Sequence, residues 1–191
     1  PRTLFPYTTL FRSFTTSTPS LPGSLKTEPN LDAWIKIDGQ GQITVFTGKA
    51  ELGTGIRTAL IQIAAEQLDV APHTLRLITA DTAQTPNEGY TAGSHSIADS
   101  GTAIFHAAAQ VRSLLVQAAA IEWDVDLETL AVKDGIITSF DGRRISYGEV
   151  VGRVELHQAA SAVSALNDPK TFAVIGQSMP RVDIPGKVTG G

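Results

Sequence analysis

The sequence predicts an α+β fold: a mixed β-sheet with two main helices, over about residues 55–68 and 99–123, packed on it. Three observations lead to this prediction. Short segments alternate apolar and polar residues, two longer segments repeat apolar residues at helical spacing, and glycine-rich loops connect the two kinds of element. With 191 residues and 42% hydrophobic content, the chain is long enough to bury a core.

The alternating segments predict β-strands. Residues 34–38 and 43–47 flank a glycine-containing turn and predict a first hairpin. Asp134-Gly135 lies between two short apolar runs and predicts a second hairpin. The strands predicted after the first hairpin are residues 75–79, 131–133, 136–139 and 172–175.

Two amphipathic segments predict the main helices. The first begins after Gly55, where Thr54 is suited to cap it through its hydroxyl, and Pro72 prevents its continuation. Asp99 and Ser100 suit the start of the second. A third, short helix is predicted to begin at Ser146. The predicted buried stripe of the second helix comprises Ile104, Ala107, Ala108, Val111, Leu114, Leu115, Ala118 and Ile121.

Composition excludes several classes of function. The net charge of −4 and the lack of clustered basic residues argue against a nucleic-acid surface. Without cysteine, the chain cannot hold a disulfide, a thiolate metal site or an iron–sulfur cluster. Its four histidines lack partners at metal-ligand spacing, so we expect no metal site of its own. No apolar run approaches the roughly 18 residues of a membrane span, so we expect none.

The N-terminal residues have a separate origin in this interpretation. Residues 5–13 back-translate to a widely used short-read sequencing adapter, so we interpret residues 1–13 as an assembly artefact. Residues 14–30 are rich in Thr, Ser and Pro and are expected to form an extended lead-in.

Two glycine- and hydroxyl-rich loops carry the chemistry. The first loop is residues 51–58 and the second loop is residues 88–96, and each leads into a main helix. Glycines at a helix start let backbone amides approach an anion, and the hydroxyls of the second loop add hydrogen-bonding capacity. Glu51 and Glu88 either orient these loops or are exposed. An ordinary strand-to-helix connection and a polar surface loop are the alternatives, but two such loops favour a large phosphate-bearing ligand held from two sides.

Four segments, in matching order, resemble a known family. Residues 48–60, 65–68, 85–97 and 179–190 are similar to the molybdenum-binding large subunit of the xanthine dehydrogenase and aldehyde oxidase family. The similarity is greatest to the branch with isoquinoline 1-oxidoreductase and nicotinate dehydrogenase large subunits. It implies hydroxylation of an aldehyde or N-heteroaromatic carbon with water-derived oxygen. It also implies a molybdopterin cofactor with molybdenum, in bacterial members usually as the cytosine dinucleotide.

The resemblance also assigns domains and site residues. Residues 31–175 correspond to a cofactor-binding lobe and residues 176–191 to the start of a truncated hammerhead domain. Thr54 departs from the family pattern, in which a longer glutamine offers its amide to the metal's oxo ligand. The family's essential glutamate base is expected beyond residue 191, so we expect an inactive fragment with no catalytic residue of its own. The implied cofactor-binding residues are Gly53, Thr54, Gly55, Thr91, Ala92, Gly93, Ser94, His95 and Ser96.

The resemblance implies partners that the chain itself does not contain. These are the remainder of the large subunit and a small subunit with two [2Fe-2S] clusters, with a cytochrome as a further candidate electron acceptor. Cytoplasm and periplasm are both compatible with the sequence. The alternative function is a noncatalytic phosphate- or nucleotide-binding α+β module, and a third is an interaction domain.

Overall fold

The computed structural model describes residues 20–190, and the expected adapter-derived residues 1–13 lie outside that range. Order begins before Leu31, the residue at which the sequence places it. Gly23–Lys26 forms a 3₁₀ helix whose Leu25 is fully buried. Gly23 has a φ of 54°, and a Cβ there would lie 2.4 Å from the carbonyl oxygen of Asp99. Residues 20–30 therefore pack against the core instead of forming the extended lead-in that their composition indicates.

The first sheet is mixed, as predicted. Strands β1 (Ile35–Ile37) and β2 (Ile43–Thr47) form the expected antiparallel hairpin, with Ile35 opposite Val45. Strand β3 (Leu75–Thr79) pairs parallel to β2. Parallel pairing requires a crossover connection, and the first main helix supplies it. The first loop lies on this crossover, immediately after β2.

The two main helices pack against each other and the sheet. Helix α1 spans Ile56–Leu68 and ends where Asp69 adopts a left-handed conformation with φ of 51°. Helix α2 spans Thr102–Trp123 and is preceded by a π-helical turn, Ile97–Gly101. Their shared core includes Trp34, Leu60, Ile104 and Leu115, which are all fully buried. The predicted helices are confirmed.

One position in the predicted stripe of α2 is wrong. Ile121 is 81% exposed, whereas Ala119 and Ala120 are buried. At 3.6 residues per turn, Ile121 lies about 200° around the helix from Ala119. The buried face therefore follows the small alanines at this end of the helix and leaves the larger isoleucine in solvent.

The second sheet is antiparallel and separate from the first. Strands β4 (Leu130–Lys133) and β5 (Ile136–Ser139) form the predicted hairpin. Strand β6 (Arg144–Ser146), which the sequence did not indicate, pairs with β5. Helix α3 (Tyr147–Val150) begins as predicted, with Ser146 and Glu149 forming a capping box.

The predicted strand at residues 172–175 is wrong. Glu66, a buried residue of α1, accepts hydrogen bonds from the amides of Ala173, Val174 and Ile175 at 3.1, 2.7 and 2.8 Å. Three consecutive amides bound to one carboxylate cannot also pair with a neighbouring strand. The chain then ends in a short helix, α4 (Ile184–Thr189).

Among residues 20–190, one helix, Ile97–Trp123, is long and apolar enough by length and composition to cross a membrane. The sequence analysis expected no such run. Half of its most apolar window is buried inside the protein, where α2 packs against α1 and the first sheet. A core helix passes the same length and composition test.

Candidate functional site

The two loops predicted from the sequence lie side by side. The segment just before the first loop touches the segment that begins the second: a Cβ on Gly48 would lie 2.3 Å from the carbonyl oxygen of Pro86. Only glycine permits this approach of the two backbones. The amide of Ala50 donates to the hydroxyl of Thr91 at 2.8 Å, which ties the loops a second time.

Glu88 orients the start of the second loop. Its carboxylate accepts hydrogen bonds from the amide of Gly48 at 2.8 Å, the hydroxyl of Thr47 at 3.0 Å and the hydroxyl of Ser24 at 2.8 Å. Thr47 is also 2.6 Å from the buried Ser100 hydroxyl. This carboxylate therefore joins β2, the N-terminal 3₁₀ helix and the second loop. Of the two roles considered for Glu88, loop orientation is confirmed.

A buried lysine lies beneath the junction. The side chain of Lys49 is 3% exposed, and its ammonium donates to the carbonyl oxygen of Glu88 at 2.9 Å. The carboxylate of Asp99 lies 3.5 Å from the same nitrogen. The junction thus contains a buried ion pair, Lys49 with Asp99, close to both loops.

Backbone amides of the first loop donate hydrogen bonds to a carboxylate of the same loop. The Glu51 carboxylate accepts hydrogen bonds from the amides of Gly53, Gly55 and Arg57 at 2.8, 2.9 and 3.2 Å. Burial raises the pKa of Glu51, but these hydrogen bonds outweigh it and leave the pKa below its ordinary value. Gly55, with φ of 80°, occupies the N-cap position of α1. Among residues 20–190, the Thr54 hydroxyl makes no capping hydrogen bond to the first turn of this helix. The predicted Thr54 cap is wrong, and an upstream carboxylate performs that task.

The C-terminal segment packs against the first loop. Arg181 donates to the carbonyl oxygen of Gly53 at 3.0 Å and forms an ion pair with Asp183 at 2.7 Å. Its guanidinium is also 3.7 Å from the Glu51 carboxylate. Hydrogen bonds from Arg181 and Lys187 hold the pKa of Asp183 far below its usual range. The first loop is therefore enclosed by charges that already have partners.

The second loop differs in having unused donors. Ala92, Gly93, Ser94 and His95 are exposed, and Gly93 and Ser94 are both left-handed with φ of 66° and 60°. Within residues 20–190, no acceptor binds the amides of Gly93 and Ser94 or the hydroxyls of Ser94 and Ser96. Thr91 is part of the tie to Ala50, and His95 lies 3.8 Å from Asp99. Amides and hydroxyls with no internal acceptor are the donors that an oxyanion requires.

Sequence reasoning missed three charged residues at this site: Lys49, Arg57 and Arg181. It considered Glu51 without giving it a specific role. A carboxylate a few residues before a glycine-rich helix start is a detectable signal for an internal cap. In the part of the chain that the structure describes, no group of three or more histidine or acidic side chains is arranged to hold a metal ion.

Known proteins resemble this chain over most of its length. The family model described as a molybdopterin cofactor-binding domain matches residues 10–179. A nicotinate dehydrogenase subunit of Pseudomonas putida is 37% identical over 85% of this chain and 14% of its own length. The beta subunit of isoquinoline 1-oxidoreductase from Brevundimonas diminuta is 28% identical over 90% of this chain and 27% of its own length.

A solved structure agrees with these relatives. The crystal structure of quinoline 2-oxidoreductase from Pseudomonas putida 86 superimposes with a TM-score of 0.51 and 31% identity, over 62% of this chain and 15% of that chain. The chain thus spans 14% and 27% of the two curated relatives' lengths. It belongs to the molybdopterin cofactor-binding domain family, in the xanthine dehydrogenase and aldehyde oxidase group.

Proposed function

We propose that this chain forms one wall of the molybdopterin site of a molybdenum hydroxylase and that the second loop faces the phosphates of the cofactor. The observation that carries the proposal is the set of donors on Gly93, Ser94 and Ser96 that have no acceptor among residues 20–190, in a chain of this family. Left-handed turns present successive amides to an anion, and phosphate oxygens accept from amides and hydroxyls. The buried Lys49 ammonium, which pairs with Asp99, donates to the carbonyl oxygen of Glu88 and so supports the start of the second loop.

The remaining candidate residues contribute in different ways. Thr91 holds the second loop against Ala50, while Ala92 and His95 complete its exposed surface. Gly53 and Gly55 contribute the shape of the first loop rather than their amides, because Glu51 accepts from both. Thr54 is exposed, and the resemblance implies that it occupies the position of the family's glutamine.

The bound cofactor would supply a molybdenum centre that hydroxylates an aldehyde or N-heteroaromatic carbon with oxygen from water. This chain would hold and orient that group. The general base is expected on the remainder of the large subunit, so we expect no turnover by residues 1–191 alone. Because the chain has no cysteine, a small subunit with two [2Fe-2S] clusters would accept the electrons, with a cytochrome as a further acceptor.

The test measures cofactor content in the full-length gene product, purified from a host that makes molybdopterin. Ser94→Asp places a carboxylate among the proposed phosphate donors, and aspartate tolerates the left-handed backbone at this position. We expect molybdenum and pterin content to fall at least about tenfold, since like charges in a binding site repel each other strongly. Ser161→Asp, an exposed position that contacts α2 at Gln110, is the control and should leave the content unchanged.

Two outcomes would contradict the proposal. Equal cofactor content in Ser94→Asp and wild type would remove the second loop from the site. A bound phosphate compound without molybdenum or pterin would instead favour a noncatalytic nucleotide-binding module. The cytosine dinucleotide form of the cofactor is a further part of the proposal, and release of cytidine monophosphate on hydrolysis of the extracted cofactor would test it.

A further inference from the structure

A cavity beside the first loop is lined by a cation, Arg57, whose side chain has no acceptor among residues 20–190. The cavity measures about 410 Å³, and its walls include Arg57, Thr79 and Lys187. The Nε atom of Arg57 is fully buried and has no hydrogen-bond acceptor among residues 20–190. The residue as a whole is half-buried, but a buried charged donor such as this Nε–H normally has an acceptor, because leaving it unsatisfied is costly. We propose that this cavity binds a small oxyanion, a carboxylate or a phosphate, through Arg57.

The acidic residues of the cavity do not neutralise Arg57. Glu51 lines the cavity, but its carboxylate accepts from three backbone amides and lies 3.7 Å from Arg181. Asp183 also lines it, and Arg181 and Lys187 are each 2.7 Å from its carboxylate. The two acids are thus matched by Arg181 and Lys187 together. Arg57 remains as the cation in excess.

The charged residues that line the cavity favour a carboxylate or a phosphate as the ligand. A guanidinium binds planar carboxylates and phosphates through two parallel hydrogen bonds. Arg57 lies in the first turn of the 13-residue helix α1, where the helix dipole also favours negative charge. Lys187 has a side chain that is 53% exposed, so its ammonium can reach a ligand while remaining near Asp183. The volume suits a small molecule rather than a macromolecule.

This site goes beyond the proposed cofactor site. Its cation lies where the first loop runs into α1, whereas the proposed phosphate donors lie on the second loop. Binding of a free oxyanion at Arg57 can therefore be measured on the chain without cofactor, and the Ser94→Asp substitution leaves Arg57 in place.

The experiment observes Arg57 directly in the whole 191-residue chain. Nitrogen-15 labelling of arginine allows the Nε–H resonances to be followed while sodium benzoate or inorganic phosphate is added. We expect the Arg57 resonance to shift and saturate with at least one probe, while the resonance of the exposed Arg144 does not saturate. The probe that saturates at lower concentration distinguishes a carboxylate site from a phosphate site.

Variants give an independent measure of affinity by calorimetry. Arg57→Gln should weaken binding about tenfold to a hundredfold, the usual contribution of hydrogen bonds to a charged group. Arg57→Lys should retain part of the affinity, and Arg144→Gln, which removes the same charge elsewhere, should retain all of it.

Two results would overturn the proposal. One is the absence of a saturable Arg57 shift with both probes, a measurement that needs no variant to fold. The other is unchanged affinity in Arg57→Gln. Loss of cofactor from Ser94→Asp, with oxyanion binding at Arg57 intact, would support both sites independently.

Discussion

The first and second loops have similar sequences and opposite states of hydrogen bonding. Both are rich in glycine and lead into a main helix. In the first loop, backbone amides donate to the Glu51 carboxylate, whereas in the second loop the amides of Gly93 and Ser94 have no acceptor among residues 20–190. A glycine-rich helix start is therefore insufficient evidence for an anion site. Such a site can bind an anion only if no carboxylate of the chain itself already accepts hydrogen bonds from those amides.

Carboxylates also organise other parts of the chain. Glu66 binds three consecutive amides of residues 173–175, which are neither helix nor strand. Glu88, at the start of the second loop, binds one amide and two hydroxyls and so joins that loop to β2 and to the N-terminal 3₁₀ helix. Hydrogen bonds to a charged acceptor are stronger than those between neutral groups, so one side chain can fix several residues. Among residues 20–190, the second loop is tied to the first at its base, by the Glu88 carboxylate, by the bond from Lys49 to the Glu88 carbonyl oxygen and by the bond from Ala50 to Thr91.

The largest effect is expected where the two loops touch. Gly48→Ala would force a Cβ against the Pro86 carbonyl oxygen, which lies 2.3 Å from its ideal position, and should lower the free energy of unfolding by about 3 kcal/mol. Urea unfolding measures this loss. Gly39→Ala is the control, because nothing lies within 4 Å of a Cβ there. Equal stability of Gly48→Ala and wild type would show that the loops do not touch as described.

Removing the internal cap of the first loop should have the next largest effect. Glu51→Ala leaves the amides of Gly53, Gly55 and Arg57 without their acceptor and should cost about 2 kcal/mol of unfolding free energy. The exposed Glu128→Ala, which loses the same charge, should change stability little. If both variants unfold alike, the first loop is not capped by Glu51 and its amides become available to an anion.

The charge of Glu51 should make part of this stabilisation dependent on pH. Its folded-state pKa lies below the ordinary value of 4.5, so the stabilisation is complete above that value and is lost as the pH falls through the folded-state pKa. Glu51→Gln removes the charge with little change of shape and should cost about 1 kcal/mol at pH 7. Urea unfolding from pH 7 to pH 2 should show the two proteins converge in acid. A constant difference would exclude the titration of Glu51 as its cause.

Much of the fold follows from local patterns. The hairpin of β1 and β2, the two main helices, the β4–β5 hairpin and the start of α3 all carry periodicity, turn residues or a capping box that a single sequence displays. The failures have long-range causes. Residues 172–175 are apolar enough for a strand, but a glutamate more than a hundred residues away binds their amides. No local pattern contains that contact.

The site was predictable in part. Glycine, hydroxyl and carboxylate positions identified both loops, and the order of motifs indicated the family. The state of each loop depends on where side chains lie in three dimensions. Arg181 donates to the carbonyl oxygen of Gly53, which is 128 positions away in the sequence. Lys49 is buried beneath Glu88, although a lysine next to a glycine in sequence would be expected at the surface. Arg57 Nε has no acceptor among residues 20–190, because Glu51 bonds to the amide of Arg57 and not to its guanidinium.

The smallest effect distinguishes two explanations of the start of α1. If the hydroxyl of Thr54 capped the helix, Thr54→Ala would cost about 1 kcal/mol, the usual value for an N-cap substitution. Thr54 is exposed and makes no such bond, so we expect a change within about 0.5 kcal/mol by urea unfolding, as for other surface positions. Ser146→Ala is the positive control, because Ser146 does cap α3. A loss at Thr54 as large as that at Ser146 would return the capping role to the threonine. The amides that Glu51 now accepts from would then be open to a ligand, and the contrast between the two loops would disappear.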